Sequence, residues 1–268
     1  MVAAENFWAS IASQIGGDRV SVTAIITNPN TDPHAYEPTP ADGRAIATAR
    51  YVILDGAGYD PWARKLVDAS PSPARLVLDV AGLAGRRDGD NPHMWYDPTI
   101  VEHVIHRIVR DLSSLDAGDA TSFAQQGSTY ETAGLARYDA LRTAIRTRYR
   151  GVPVGATESI FVDLANDLGL DLITPNAYMK AISEGNDPAA ADKATVDSQI
   201  AGRLISVLVV NSQNSTPDIQ ALADRARALG IPVVHITETL DPATATFQAW
   251  QSSQLRALQA ALGQATGA

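Results

Sequence analysis

Short β-branched apolar runs alternate with longer amphipathic stretches along the chain. That is the rhythm of successive βα units folding onto a mainly parallel sheet. Strands are predicted at 20–26, 51–55 and 75–79, and again at 152–156, 170–173, 204–210 and 233–237. Helical periodicity fills intervals at 61–69, 99–112, 159–168, 217–229 and 249–262. One segment breaks the alternation. From 119 to 150 there is no strand signal and no proline, while Phe123, Gly127, Tyr130, Gly134, Tyr138, Leu141 and Ile145 recur three or four apart and trace one helix face. Asp119 suits an N-cap, Gly151 a stop, and Pro153 lies just beyond. A helix of about 30 residues would run roughly 45 Å at 1.5 Å per residue, too long for a crossover within one small sheet. The expected fold is therefore α/β, with two (β/α) lobes of mainly parallel sheet joined by one long rigid helix. The N-terminal lobe would be 1–118, the linking helix 119–150 and the C-terminal lobe 151–268. The competing reading is two shorter helices broken near Gly127 or Gly134, since a helical glycine costs about 1 kcal/mol relative to alanine.

Composition narrows the function. At 268 residues with 45% hydrophobic side chains, the chain can bury a substantial core. Its net charge of −9 disfavours a nucleic-acid or anionic-membrane partner, both of which need a basic footprint. The absence of cysteine excludes thiolate zinc sites, iron–sulfur clusters, thiol nucleophiles and disulfides. No apolar run approaches the roughly 20 residues of a membrane helix. Met1-Val2-Ala3-Ala4 leads directly into a folded-looking segment, so a targeting sequence is expected to be absent or already removed.

Candidate chemistry lies in four places. Asp32-Pro33-His34-Ala35-Tyr36-Glu37-Pro38 follows the strand at 20–26, and Asn91-Pro92-His93-Met94-Trp95-Tyr96-Asp97-Pro98 follows that at 75–79. Both read Asp or Asn, Pro, His, any residue, aromatic. Proline restrains the backbone ahead of each imidazole, and the aromatic can wall off water. A lone loop histidine is usually a surface group, but two copies of one stiff format among five histidines point to a shared role. Glu158 follows the strand at 152–156, where alone it reads as a helix N-cap. Glu238 follows the strand at 233–237, where alone it reads as a solvated loop acid. Taken together, all four stand beyond the carboxyl ends of predicted strands, two in each half, which is the edge where open α/β sheets bind ligands. Two neutral imidazoles and two carboxylates would neutralise and enclose a divalent cation.

These residues carry a resemblance. The chain resembles the zinc- and manganese-binding solute-binding proteins of bacterial ABC importers, the TroA/ZnuA-like group, nearly end to end. The likeness runs from Ile15-Gly16-Gly17-Asp18-Arg19-Val20 through the first histidine motif and Gly56-Ala57-Gly58-Tyr59-Asp60 to Asn91-Pro92-His93-Met94-Trp95. It implies two lobes joined by a long helix, with one metal held by two ligands from each lobe. His34 and His93 correspond to the first two ligands. Glu158 corresponds to the third, with Gly169 reproducing the family's glycine eleven positions on. Glu238 stands where the family usually has Asp, and His235 competes with it for that role. His103 and His106 read as structural. The family's zinc-type His/Asp-rich loop is absent after the first motif. Oxygen ligands suit Mn²⁺, while intrinsic affinity favours Zn²⁺, so the ion stays open between the two.

The resemblance further implies an extracytoplasmic, periplasmic or lipid-anchored monomer that delivers Mn²⁺ or Zn²⁺ to an ABC permease and is not an enzyme. The rivals are a siderophore- or cobalamin-type binding protein, which would need a roomy cleft, and a zinc metallohydrolase, which would need an open coordination position. No dinucleotide-binding glycine motif, P-loop or nucleophile-elbow sequence follows any early strand.

Overall fold

The computed structural model describes every residue except Asn30, Asp32, His34, Ala35 and Ala268. The chain divides into two compact units, Met1–Ala136 with Thr239–Trp250, and Arg137–Glu238 with Gln251–Ala268. The division falls at Ala136–Arg137, within the helical run expected at 119–150, and Thr239–Trp250 group with the first unit before the chain re-enters the second at Gln251.

In the first unit, strands β1 (Val2–Glu5), β2 (Thr23–Ile26), β3 (Tyr51–Leu54) and β4 (Leu76–Asp79) form a parallel sheet in the order β2-β1-β3-β4. Helices α1 (Asn6–Gly16), α2 (Pro40–Thr48), α3 (Pro61–Ala69) and α4 (Val80–Ala84) alternate with them, followed by α5 (Pro98–Leu115) and α6 (Ala120–Thr129). Alternate residues Val2, Ala4, Val52 and Leu54 face one layer, where they pack with Ile46 of α2 and Trp62, Ala63 and Val67 of α3. Strand β1 escaped the hydrophobic pattern because Val-Ala-Ala-Glu has little β propensity. Pairing on both sides and complete burial make it a strand. Asp97 caps α5 by accepting from the N–H groups of Thr99 (2.9 Å) and Ile100 (3.3 Å), with Pro98 at the first helical position.

The region expected as one long helix is a helical run with a widened turn. After α6, residues Tyr130–Gly134 form a π turn in which the N–H of Leu135 donates to the carbonyl of Tyr130 (2.9 Å). Helix α7 (Ala136–Tyr149) follows. The extra residue keeps Tyr130, Leu135 and Tyr138 all buried across the turn. Gly127 is required for a different reason: a Cβ there would collide with Val109, so glycine lets α6 approach α5.

The second unit repeats the first topology. Strands β5 (Pro153–Ala156), β6 (Asp171–Leu172), β7 (Val207–Asn211) and β8 (Val233–Ile236) are parallel in the order β6-β5-β7-β8. Helices α8 (Val162–Leu168), α9 (Asn176–Ser183), α10 (Ala190–Ala201), α11 (Pro217–Ala228) and α12 (Phe247–Thr266) complete the chain. Gly169 terminates α8 at φ 66°, the left-handed conformation of a helix C-cap, which explains a glycine there. In both sheets the direction of strand addition reverses between two central neighbours, β1 and β3 in one and β5 and β7 in the other. That reversal is where an open α/β sheet leaves a crevice at its carboxyl edge. Among the described residues, no helix is long and apolar enough to cross a membrane.

Candidate metal centre

In the second unit the carboxyl edge carries Glu158 just after β5, Asn211 as the last residue of β7, and Glu238 two residues after β8. Because β7 lies between β5 and β8, its terminal side chain is flanked by the two acids. The Asn211 amide donates to Glu158 Oε2 at 2.6 Å and to Glu238 Oε1 at 2.8 Å. Its own Oδ1 accepts the Gln213 N–H at 3.0 Å, which fixes the amide so that Nδ2 faces both acids. Asn214 Nδ2 donates to Glu158 Oε1 at 3.2 Å. Glu158, Asn211 and Glu238 are 1%, 1% and 3% exposed, so two carboxylates are held together out of water. Each offers an oxygen within 4.8 Å of the other's.

The electrostatic cost is visible. Burial, and then the nearby Glu238 charge, push the Glu158 carboxyl up to about 8 from an ordinary 4.5, against the opposing hydrogen bonds from Asn211, Asn214 and Ser183. Two buried, adjacent anions without a counter-cation are unfavourable, and a divalent ion is the natural compensation. Glu158 is not a helix cap: it precedes the short 3₁₀ turn Ser159–Phe161 but makes no capping hydrogen bond. Nor is Glu238 a solvated loop acid. Its N–H donates to Gln213 Oε1 at 2.5 Å, and the preceding Thr237 N–H donates to Gln254 Oε1 at 2.8 Å. His235 stands on the opposite side of β8, exposed, with Nε2 3.0 Å from Arg227 Nη2; burial and that guanidinium lower its pKa.

In the first unit His93 is fully buried in the loop between α4 and α5. Its Nδ1 lies 2.7 Å from Asn91 Oδ1, which also accepts the His93 backbone N–H at 3.4 Å. A ring that donates from Nδ1 to a carbonyl oxygen keeps its lone pair on Nε2, the tautomer a metal requires. Trp95 and Tyr59 sit edge-on to the imidazole, with centroids at 5.3 and 6.2 Å. The aromatic of the histidine motif thus lies against the ring, as its position suggested. His34 lies outside the described residues. Its neighbour Tyr36 donates to Asp42 Oδ2 at 2.9 Å and packs on Trp62 at 4.8 Å. Of the two histidines read as structural, His103 is exposed on α5, and His106 pairs with Glu131.

The sequence reading missed the supporting amides, Asn91, Asn211 and Asn214. A signal existed for two of them. Asn91 opens the repeated Asp/Asn-Pro-His format, and Asn211 is the one polar residue of the otherwise apolar run Val-Leu-Val-Val-Asn.

The chain is 28% identical over 139 residues to the manganese-binding lipoprotein MntA of Halalkalibacterium halodurans, covering 48% of this chain and 44% of that one. It is 21% identical over 224 residues to the zinc-binding protein TroA of Treponema pallidum, covering 76% and 68%. The chain spans about half the length of the first curated relatives it matches. The fold matches that of the solute-binding protein FpvC from Pseudomonas aeruginosa, solved in complex with Mn²⁺, with a TM-score of 0.75 at 20% identity over 97% of this chain and 96% of that one. The sequence model of the periplasmic zinc-uptake complex component A matches residues 1–261, and the chain belongs to that ZnuA family.

Proposed function

We propose that the protein is the solute-binding component of an ABC importer, capturing one Mn²⁺ or Zn²⁺ ion as cargo through His34, His93, Glu158 and Glu238. The observation that carries this reading is the buried Glu158–Glu238 pair, spanned by the Asn211 amide and held close enough to share a cation. His93, with Nδ1 engaged by Asn91, has the tautomer of a nitrogen ligand. Such a set strips the ion of its water shell and leaves no catalytic role for the site, so the protein binds and delivers rather than transforms. The family's periplasmic description and the relatives' printed names, among them a manganese ABC transporter substrate-binding lipoprotein of Streptococcus mitis, support an extracytoplasmic location and an ABC permease as partner. The proposed organisation is that first read from the sequence: two α/β lobes connected through the helical run at 119–150, in a monomeric chain.

The test is thermal unfolding of the chelator-stripped protein, titrated separately with Mn²⁺ and Zn²⁺. At 100 times its dissociation constant the cargo should add about 2.7 kcal/mol of stability. That increment should be lost in His34→Ala and in Glu238→Ala, and the ion effective at lower concentration is the better cargo. No shift with either ion, or an equal shift in both variants, refutes the four-ligand assignment.

A further inference from the structure

Beyond the cargo residues, the first unit carries a second convergence of metal-ligating side chains. Glu102 and His106 lie on α5 four residues apart, so both project from one face of that helix. Glu131, in the π turn that follows α6, brings its Oε1 to 2.8 Å from His106 Nε2. One ligand atom from each of the three lies within 4.8 Å of the other two. His106 and Glu102 are exposed and Glu131 is half-buried, so the group opens to solvent.

A histidine–carboxylate ion pair would account for His106 and Glu131 alone. It leaves out Glu102, whose carboxylate brings a second oxygen within 4.8 Å of the same group without forming an ion pair of its own among the described residues. Two exposed carboxylates that share one neighbour repel each other, and a solvated glutamate can swing away at little cost. Arg107, next to His106 in the chain, is committed to Asp111 (2.8 Å). Within the π turn, Leu135 N–H bonds to Tyr130 O, five residues back, and such widened turns recur at functional positions.

We infer that Glu102, His106 and Glu131 form a second, solvent-open site for a divalent transition ion of the Zn²⁺ type. One imidazole nitrogen and two carboxylate oxygens supply three ligands, and water completes the shell. The donor set favours Zn²⁺ over Mn²⁺ by the Irving–Williams order. Solvent access and exposed ligands make the site weaker than a buried one and quicker to exchange. This assignment is independent of the cargo reading, because it concerns different residues and is read as a difference between variants.

The experiment is equilibrium dialysis of the whole chain against Zn²⁺, for the unsubstituted protein and for His106→Ala, Glu131→Gln and Glu102→Gln. Melting temperature in chelator is recorded for each. We expect each variant to bind one molar equivalent fewer than the unsubstituted chain, whatever the remaining sites take up. Glu102→Gln is decisive, since it removes a like charge, breaks no ion pair and leaves the fold intact. If Glu102→Gln keeps the full stoichiometry, or only His106→Ala loses it, the three-ligand site is overturned and the pair is an ion pair alone. Equal stoichiometry in all four proteins overturns it as well.

Discussion

The two sheets share one strand order and both place acids at the carboxyl edge beside the reversal point, yet they treat those acids in opposite ways. In the second unit, Glu158 and Glu238 are separated and aimed by a neutral amide between them, and both keep hydrogen-bonded oxygens. In the first unit, Glu5 ends β1, Asp55 follows β3 and Asp60 follows shortly after, all three buried. Asp60 accepts the N–H groups of Asp55 and Gly56, each at 2.8 Å, and Asp55 accepts the Trp8 indole N–H at 2.9 Å. No other residue donates a hydrogen bond to either oxygen of Glu5. Its carboxyl is held well above the ordinary value, chiefly by burial and then by the charges of Asp60 and Asp55. Among the described residues these three acids do not bring ligand atoms to a common point. What prepares an edge for a cation is therefore not the number of acids. It is a donor placed to hold two acids at a shared distance, and among the described residues only the second unit's edge has one.

The sharpest way to break this comparison is to neutralise one acid in each unit. Glu158→Gln should abolish the ion-induced rise in melting temperature, a loss of about 2.7 kcal/mol at 100 times the native dissociation constant. The same variant should melt higher than the native chain when both are metal-free at pH 7, since a buried carboxylate with a raised pKa is replaced by a neutral amide. Glu5→Gln should keep the full ion-induced shift. Were it to lose that shift too, the two edges would not be functionally distinct.

Asn211→Leu tests the donor itself, with an effect next in size. Leucine keeps much of the volume but removes both hydrogen bonds to the acids, each worth about 0.5–1.5 kcal/mol to a neutral carboxyl and about 1.5–3 kcal/mol to an ionised one. The metal-free protein should lose stability. Ion affinity in calorimetric titration should fall about 10–100-fold, the usual penalty for removing a group that orients ligands. An unchanged dissociation constant would show that other contacts aim the carboxylates, and the proposed contrast between the edges would dissolve.

How much of this was legible beforehand depends on the kind of signal. Six of the eight strands, among them 51–55, 152–156 and 233–237, announced themselves as bounded apolar runs. Strand β6 shrank to Asp171–Leu172, while β1 stayed hidden because its burial comes from neighbours on both sides and not from its own residues. Glu158 and Glu238 were readable only as a set, since each alone fits a cap or a loop, and their true surroundings depend on long-range contacts to Asn211, 53 and 27 residues away. His235 competed with Glu238 for the fourth ligand in the sequence, and strand alternation places it on the other side of β8, beside Arg227. The π turn was hidden because Gly134 keeps a four-residue spacing from Tyr130, whereas the buried position is Leu135, five residues on.

The smallest effect concerns Glu5, and its sign follows from linkage. Folding raises the Glu5 pKa above 4.5, so as pH increases the unfolded chain gives up its proton before the folded one does. The stabilisation is fully present below pH 4.5 and is lost as pH rises towards the folded value. Glu5→Gln cannot lose a proton, and its amide can donate to Asp55 or Asp60. The variant should therefore match the native chain in melting temperature near pH 4 and exceed it increasingly above that. At pH 7.5 the variant should melt above the native chain, which thermal unfolding measured at both pH values checks directly. Measuring both in a Glu158→Gln background keeps the second unit's raised carboxyl from titrating over the same range. A gap independent of pH would mean that folding leaves the Glu5 pKa unshifted, and would remove the electrostatic half of the contrast between the two edges.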